Sequence, residues 1–384
     1  MNQELGTRNQ KPETERVVYA VPFVEPGKLY AMLKAELDAA YFEVMARGDL
    51  IMRAQLSEFE QNLATFVGSK YAVGLNSGYD ALHVSLIAAG IGPGDEVIVP
   101  AHTFLATASA VVNAGARPVL VDVGSDFNID SNKIEEAITS RTRAIIPVHL
   151  NGRMSDMDAV MAIAQKHNLV VVEDACQSLG AAFNARRAGS VGLAGCWSFY
   201  PFKILGGYGD GGAITTNDPE VARKATLLRY NGEDRETGEY HYHGFTCLLD
   251  NLQAAFLGVK LRHLPEWIAR RRAVAEAYRG GLDDIHGLVL PHYDTPGFQD
   301  VYQNYVIRTK RRDALNDYLK EKGVETLVHW RKPYYSYEAL GLEDRGFPET
   351  EAICRESISL PMNVEMSDDQ VAYVVETVRA FWRK

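Results

Sequence analysis

The stretch that decides the fold class is EVIVPAHTFLATASAVVNAGARPVLVDV, residues 96–123. It begins with an apolar strand, continues through a helical run at residues 104–114, and ends in a second apolar strand at residues 118–123. Both strands are continuous in valine, isoleucine and leucine, which is typical of a parallel sheet covered by helices on both faces. This stretch therefore predicts one strand–helix–strand unit of an α/β fold.

The same alternation of short strands and helices extends over about residues 50–230. The pattern then changes to a long helical stretch, interrupted near Pro265, and to a mixed region of strands and helices. We expect a flexible N-terminal arm at 1–25 and a large domain with a mostly parallel central sheet at 26–250. A connecting helix and a smaller C-terminal α+β domain are expected at 251–384.

The composition is that of an ordinary globular chain, with 384 residues of which 46% are apolar and 23% charged. The net charge of −10 argues against a nucleic-acid or anionic-membrane partner, although a few local donors suffice to hold a small phosphate. There is no run of 18 apolar residues, the beginning MNQELGTRNQKPETER lacks a signal-peptide core, and the four cysteines match no zinc spacing. We therefore expect a cytoplasmic protein without a metal site, with its cysteines reduced.

Three segments offer groups that suit chemistry, and the first is VVVEDACQSLGAA at 170–182. An apolar strand there runs directly into Asp174. Functional groups of α/β sheets collect at the carboxyl ends of strands. Asp174 could therefore pair with a cation, coordinate a metal or cap the next helix.

The second segment is WSFYPFKILGGYGDGGAITT at 197–216, where Lys203 lies among aromatic and aliphatic residues, five positions after Ser198. A lysine is most often a solvated surface charge, but apolar surroundings lower its pKa, so that the neutral amine becomes a nucleophile. The glycines after Lys203 do not fit the dinucleotide-binding pattern, and the chain has no P-loop. The sequence therefore does not favour a NAD site or a nucleoside-triphosphate loop.

The third segment is GLNSGYDALHVSL at 74–86, in which a strand ends near Gly78 and a helix begins near Tyr79. Free amides at a helix start form an anion site, although a plain helix cap by Ser77 explains the pattern equally well. The three segments together supply a phosphate cradle, a carboxylate and a lysine in apolar surroundings. That is the set that pyridoxal 5′-phosphate needs, and Phe104 could stack on its ring.

These segments, with SGYDAL and the stretch at 96–123, resemble the nucleotide-sugar aminotransferases of the DegT/DnrJ/EryC1/StrS family over about residues 50–384. The resemblance implies a fold-type I pyridoxal-phosphate-dependent aminotransferase, and a homodimer whose active sites lie at the subunit interface. It also implies transfer of an amino group from L-glutamate, which leaves as 2-oxoglutarate, to a nucleotide-linked keto-sugar.

Carried over by position, the resemblance assigns two catalytic residues: Lys203 as the Schiff-base lysine and Asp174 as the carboxylate beneath the pyridine nitrogen. The further cofactor contacts that it assigns are Gly78, Tyr79, Phe104, Gln177 and Ser198. The resemblance also places His329, in VETLVHW, on the substrate side. To these we add Arg331, whose charge suits a diphosphate, and His149, which follows a strand in PVHLNGR.

The chain departs from the family pattern in two places. Many members have threonine where this chain has Tyr79, which keeps the backbone amide but changes the side-chain contact. Many members also carry an N-x-R element whose polar side chains reach the partner subunit's cofactor phosphate, and here Thr246 and Leu248 stand at its ends. Thr246 can still donate one hydrogen bond to the cofactor, whereas Leu248 cannot. Asn231 or His243 could replace the missing contact.

The predicted reaction is amination of a 3- or 4-keto-6-deoxyhexose carried on a nucleotide. The expected role is amino-sugar biosynthesis for a surface polysaccharide, such as a lipopolysaccharide O-antigen, or for a glycosylated product. Two alternatives stay open. One is an aminotransferase that acts on a free cyclitol ketone, and the other is a catalytically idle protein that binds the cofactor.

Overall fold

A seven-stranded sheet forms the centre of the computed structural model, which describes residues 19–292 and 295–383. Its strands are β1 (Tyr71–Leu75), β2 (Glu96–Pro100), β3 (Arg117–Val121), β4 (Thr142–Ile145), β5 (Val170–Asp174), β6 (Ala194–Ser198) and β7 (Gly212–Thr216). Their spatial order is β1-β7-β6-β5-β4-β2-β3. Strand β7 is antiparallel to both of its neighbours, and the remaining pairs are parallel.

Helices cover both faces of this sheet. The helices are α1 (Pro26–Arg47), α2 (Ala54–Val67), α3 (Gly78–Ala88), α4 (Ala106–Asn113), α5 (Met157–His167), α6 (Pro219–Leu228), α7 (Asn251–Leu282), α8 (Arg312–Glu321), α9 (Pro348–Glu356) and α10 (Asp368–Trp382). Ile98 of β2 belongs to a buried cluster with α1, α2, α5 and the first half of α7. Its neighbours Val97 and Val99 belong to a second cluster with α3, α4 and α6. The alternation of side chains along each strand thus divides the core into two layers, as continuous apolar strands require.

The C-terminal part has its own core around the antiparallel pair β8 (Tyr305–Arg308) and β9 (Ser357–Leu360). The second half of α7 packs there with α8 and α10. Outside these sheets, Ala182–Phe183, Arg186–Arg187 and Phe298–Gln299 form a small sheet, and Glu233–Asp234 pairs with Glu239–Tyr240.

The segment around Val21, which the sequence predicts to belong to a flexible arm, packs against the C-terminal part of the chain. Residues 1–18 lie outside the described residues, but Val21 is buried in the C-terminal core. Its amide donates to the carbonyl of Gly323 at 3.0 Å, and its carbonyl accepts from the Glu325 amide at 2.9 Å. The apolar side chain and the two backbone bonds tie this part of the chain to residues 323–325, about 300 positions away.

The predicted interruption of the connecting helix near Pro265 is also wrong. Helix α7 runs for 32 residues through Pro265. Proline removes one backbone donor, but Leu264, Trp267 and Ile268 are all buried around it, so that packing holds the helix together. Helix α7 thereby joins the sheet core to the C-terminal core.

The carboxyl ends of β1, β2, β5 and β6 all meet at one edge of the sheet, because these strands run in the same direction. The residues that follow or end them are Gly78, Phe104, Asp174 and Ser198. This edge is where α/β folds place their functional groups. Within 19–292 and 295–383, no helix is long and apolar enough to cross a membrane, and no group of three or more His, Cys, Asp or Glu side chains could hold a metal ion.

Candidate active site

Lys203 lies in a tight turn after β6, where its own amide donates to the carbonyl of Tyr200 at 2.8 Å. Burial lowers the pKa of its ammonium below the ordinary 10.5, and the nearby Cys176 and Asp174 offset part of that effect. The structure therefore places a partly desolvated amine beside the carboxylate at the end of β5, as the sequence predicts.

Asp174 is buried, and hydrogen bonds hold both of its carboxylate oxygens. Its Oδ2 accepts from the Thr107 hydroxyl at 2.8 Å, and its Oδ1 accepts from the Cys176 amide at 3.3 Å. Thr107 lies 3.0 Å from the Thr103 hydroxyl and is itself fully buried in α4. Because Thr107 donates to Asp174, Thr103 must donate to Thr107. The carboxylate thus has a fixed position and a fixed orientation.

Gly78 and Ser198 lie against each other at the start of α3. A Cβ atom added at Gly78 would lie 2.7 Å from the Ser198 Cβ and 2.8 Å from the Cys176 Sγ, so the position requires glycine. The Ser77 side chain caps α3 by accepting the Asp80 amide at 3.0 Å. That capping accounts for one interpretation of the segment.

The anion-site interpretation remains compatible with this cap, because capping by Ser77 leaves other donors free. The amides of Gly78 and Tyr79 donate to no acceptor within the part of the chain that the structure describes. The Tyr79 hydroxyl points elsewhere and accepts from the Asn113 side chain at 2.6 Å. Two backbone amides therefore stay free at a helix N-terminus that lies against Ser198, which is a suitable place for a phosphate.

Gln177 and Phe104 complete the set that the sequence predicts for the cofactor. The Gln177 Oε1 accepts from the Asn151 amide at 2.9 Å, which leaves the Nε2 group of Gln177 available as a donor. Phe104 follows β2 and is 60% exposed, so its ring is accessible for stacking on a ligand.

His149 does not line the site, so the prediction that it contacts the substrate is wrong. Its ring is fully buried, with Nε2 2.9 Å from a Glu173 carboxylate oxygen and Nδ1 accepting from the Ser155 amide at 3.1 Å. Glu173 in turn accepts three amides from residues 189–192. Both ring nitrogens are thus occupied inside the protein, and no polar atom of His149 is left for a substrate.

The structure separates the two other predicted substrate residues. Burial and the nearby Lys203 lower the pKa of His329 to about 4, so His329 is a neutral neighbour of the amine, 2.9 Å from the Ser359 hydroxyl. Arg331 is 61% exposed at its side chain and donates to Asp313 at 2.8 Å on the outer side of α8. No contact in the described residues links Arg331 to Lys203.

The stretch that departs from the family pattern forms a small polar surface. The Thr246 hydroxyl donates to the Asn231 side chain at 2.9 Å, and Thr246 is exposed. His243 is exposed as well, whereas Leu248 pairs with Leu75 at the end of β1. Thr246 and Asn231 therefore act as one hydrogen-bonding unit, and Leu248 belongs to the sheet.

Sequence reasoning missed the two groups that hold Asp174. Cys176 stands two positions after Asp174, the spacing at which an aspartate commonly accepts a backbone amide. Thr107 gives no such signal, because only the tertiary fold brings α4 to the carboxylate.

The donor set fits pyridoxal 5′-phosphate. Free amides beside Ser198 suit a phosphate, a fixed carboxylate suits a protonated ring nitrogen, and an amine with a lowered pKa suits a Schiff base. All of these groups lie at one edge of the sheet.

Comparisons with known proteins identify the family of the chain. The family model for DegT/DnrJ/EryC1/StrS aminotransferases matches residues 32–379. A "pleiotropic regulatory protein" of Geobacillus stearothermophilus is 42% identical, covering 94% of this chain and 99% of that protein. The dTDP-3-amino-3,4,6-trideoxy-alpha-D-glucose transaminase of Streptomyces venezuelae is 40% identical, covering 97% of each chain.

The UDP-2-acetamido-2-deoxy-3-oxo-D-glucuronate aminotransferase of Pseudomonas aeruginosa is also 40% identical, covering 89% of this chain and 95% of that one. The crystal structure of S. venezuelae DesV, solved with a ketimine intermediate, superposes with a TM-score of 0.92 at 40% identity, covering 95% of this chain and 99% of that one. This likeness confirms the fold class predicted from the strand pattern. The chain belongs to the DegT/DnrJ/EryC1/StrS aminotransferase family.

Proposed function

We propose that this protein is a pyridoxal-phosphate-dependent aminotransferase that moves an amino group from L-glutamate to a keto-sugar carried on a nucleoside diphosphate. The observation that carries the proposal is the position of Lys203 beside Asp174, at the sheet edge that also holds the Gly78–Ser198 cradle. The names of the two transaminases described above specify an amino or an oxo group at C3 of the sugar. These names support our proposal that the amination occurs at C3 rather than at C4.

The chemistry divides between the cofactor and the chain. Pyridoxal phosphate, when bound, supplies the carbonyl that exchanges amines and the ring that takes up an electron pair. Burial makes the Nζ of Lys203 easier to deprotonate. Lys203 therefore takes the α proton of glutamate and returns a proton in the second half of the reaction. Asp174, fixed by Thr107 and the Cys176 amide, would pair with the protonated ring nitrogen of the bound cofactor.

The cradle residues position the reacting atoms. The amides of Gly78 and Tyr79 and the Ser198 hydroxyl would hold the phosphate, and the free donor of Gln177 would bind the cofactor's 3′-oxygen. For the sugar nucleotide we propose His329, which reaches it as a neutral hydrogen-bonding group because its pKa is about 4. Arg331 is the charged candidate for the diphosphate, and binding would exchange its contact with Asp313 for the ligand.

A second copy of the chain is the partner that we propose for the mouth of the site. Four aromatic side chains around it are each more than a third exposed; we call them the aromatic rim. They are Phe104, Tyr200, Phe202 and Tyr208. Exposed apolar groups of this size are typical of a surface that another protein covers. A homodimer would bury the rim and bring Thr246 and Asn231 toward the other subunit's cofactor phosphate.

The same activity could serve amino-sugar biosynthesis for a surface polysaccharide or for a glycosylated product. A free cyclitol ketone is the alternative acceptor, and it would leave Arg331 without a diphosphate. A catalytically idle binding protein is the second alternative. It gives no reason for the lowered pKa of Lys203, although one relative carries a regulatory name.

One experiment separates these functions. The protein loaded with pyridoxal phosphate is mixed with L-glutamate while the cofactor's absorbance is followed. Portions of the aminated form are then mixed separately with dTDP-, UDP- and GDP-linked 3-keto-sugars, with the matching 4-keto-sugars and with a free cyclitol ketone. The products are identified by mass spectrometry. We expect conversion by glutamate and turnover of one nucleotide-linked 3-keto-sugar. A lack of any response to glutamate, in contrast, supports the idle protein, and Lys203→Ala is the inactive control.

A further inference from the structure

The side chain of a buried glutamine forms hydrogen bonds with the backbone on both sides of Lys203. The Ile204 amide donates to the Gln303 Oε1 at 2.7 Å, and the Gln303 Nε2 donates to the Phe202 carbonyl at 2.9 Å. Gln303 is only 8% exposed and lies 100 positions further along the chain. Its amide thus pairs with the two neighbours of Lys203 in the way that a strand pairs with its partner.

The backbone around Gln303 is held in turn by the side chain of Arg271. Arg271 of α7, also buried, donates from one Nη1 to the carbonyls of Tyr302 at 2.9 Å, Gln303 at 3.3 Å and Met362 at 3.0 Å. The Gln303 backbone therefore cannot move without breaking contacts to α7 and to the C-terminal core.

A second backbone contact fixes the same segment from the other side. The Val301 amide donates to the Gly152 carbonyl at 2.9 Å. A Cβ atom added at Gly152, whose φ is +94°, would lie 2.6 Å from the Gln303 nitrogen. The two segments are thus in direct backbone contact, and the glycine is needed for that approach.

The turn that carries Lys203 is neither helix nor strand, so its backbone groups depend on hydrogen bonds from other parts of the chain. Its later part is held by α7, where Gln253 accepts the Tyr208 amide at 2.8 Å and Lys260 donates to the Gly206 carbonyl at 2.7 Å. Next to Lys203 itself, Gln303 is the side chain that takes up the free backbone groups. A displacement of about 1 Å at a reacting group can cost ~100-fold in rate.

We propose that Gln303 is a positioning residue that sets the place of the Lys203 amine through the backbone of Phe202 and Ile204. The proposal rests on the function above in one respect, namely that Lys203 is the reacting amine. Through Gln303, the C-terminal core and α7 fix the geometry of a group that sits on the sheet domain.

The test uses Gln303→Met, which keeps the length of the side chain and removes both hydrogen bonds. Gln303→Glu keeps an acceptor for the Ile204 amide but sets an oxygen against the Phe202 carbonyl, and it serves if the first variant does not fold. Gln299→Met, an exposed glutamine of the same segment, is the matched control. The first measurement is hydrogen exchange in cofactor-free protein, for peptides covering residues 200–207 and β5.

In Gln303→Met we expect exchange at 200–207 at least ~10-fold faster than in the wild type, with β5 unchanged. In the loaded protein we expect kcat for the glutamate step to fall ~100-fold with little change in KM. Gln303→Glu should lie between Gln303→Met and the wild type, and Gln299→Met should match the wild type. Unchanged exchange at 200–207, or equal acceleration throughout the protein, would overturn the proposal. A wild type that ignores glutamate would instead overturn the proposed function, and the exchange result would still decide the role of Gln303.

Discussion

The Lys203 amine should react at a lower pH than an ordinary lysine. Burial lowers its pKa below 10.5, so the neutral and reactive fraction at any given pH is larger than for a solvated lysine, whose pKa is ~10.4. We expect labelling of cofactor-free protein with acetic anhydride, followed by mass spectrometry, to reach half of its maximal rate at Lys203 below pH 10.5. Removing the nearby charge with Asp174→Asn should lower that pH further, because Asp174 raises the pKa of Lys203. A midpoint at or above that of the exposed lysines contradicts the assignment.

Two adjacent carboxylates, Glu173 and Asp174, have different tasks. Glu173 is fully buried and accepts the His149 ring and the amides of Gly189, Val191 and Gly192. Burial alone would raise its pKa, but the His149 ring and these amides hold the pKa below its usual 4.5. Its contribution to stability is therefore present above the ordinary pKa and is lost as the pH falls through the lowered one.

Glu173→Gln should destabilise the fold strongly, because an amide places a donor against groups that are donors themselves. We expect a loss of about 3 kcal/mol in the free energy of unfolding, as for a broken buried pair, measured by urea unfolding followed by circular dichroism. Asp174→Asn is the comparison and should cost less, about 1.5 kcal/mol, because its amide oxygen can still accept from Thr107 and its amide nitrogen faces a single donor, the Cys176 amide at 3.3 Å. Turnover should nevertheless fall by orders of magnitude. If the two variants lose stability equally, the division of tasks is wrong.

At the scale of elements, the start of α3 leaves no room for an added side-chain atom at Gly78. Gly78→Ala places a methyl group 2.7 Å from the Ser198 Cβ, and we expect an overpacking cost of about 1–3 kcal/mol. Moving Ser198 should also weaken pyridoxal phosphate binding by at least ~10-fold in Kd, measured by absorbance titration, since a tenfold loss corresponds to only about 1.4 kcal/mol. Gly258→Ala, in an open position of α7, is the matched control and should stabilise the helix slightly. Equal cofactor affinity in both variants would contradict the cradle.

Elements also show what could be predicted from the sequence. The meeting of Gly78, Asp174 and Ser198 at one edge of the sheet could be predicted, because each ends or follows an apolar strand and parallel strands bring their ends together whatever the loops do. His149 was misplaced by the same rule, because a position after a strand does not reveal which way the side chain turns. Gln303 had no local signal at all, since its partners at Phe202 and Ile204 lie about 100 residues away.

At the scale of the whole molecule, the domains are joined more tightly than a linear division of the chain suggests. Helix α7 contributes to both the sheet core and the C-terminal core, and Val21 pairs with Val324. The division at about residue 250 remains a prediction, but the chain crosses between the two cores at its beginning as well as through α7. The site on the sheet edge therefore draws on both parts, through Gln303 and through His329.

A second copy of the chain should complete the molecule, and helix α1 offers the means to test it. Phe42 is 65% exposed on α1, and Tyr30 of the same helix contacts Tyr208 of the aromatic rim edge-to-face, with ring centroids 6.4 Å apart. We expect light scattering to give about twice 42.6 kDa for the wild type, and Phe42→Glu to shift the mass toward one chain, because a buried charge opposes association. Val289→Glu, which adds the same charge at a 59% exposed residue of the C-terminal part, should leave the mass unchanged. If the proposed sharing of the site is right, Phe42→Glu also weakens cofactor binding at low protein concentration, and the loss is reversed by raising that concentration. A wild-type protein that stays monomeric at micromolar concentration while turning over substrate would show instead that one chain suffices.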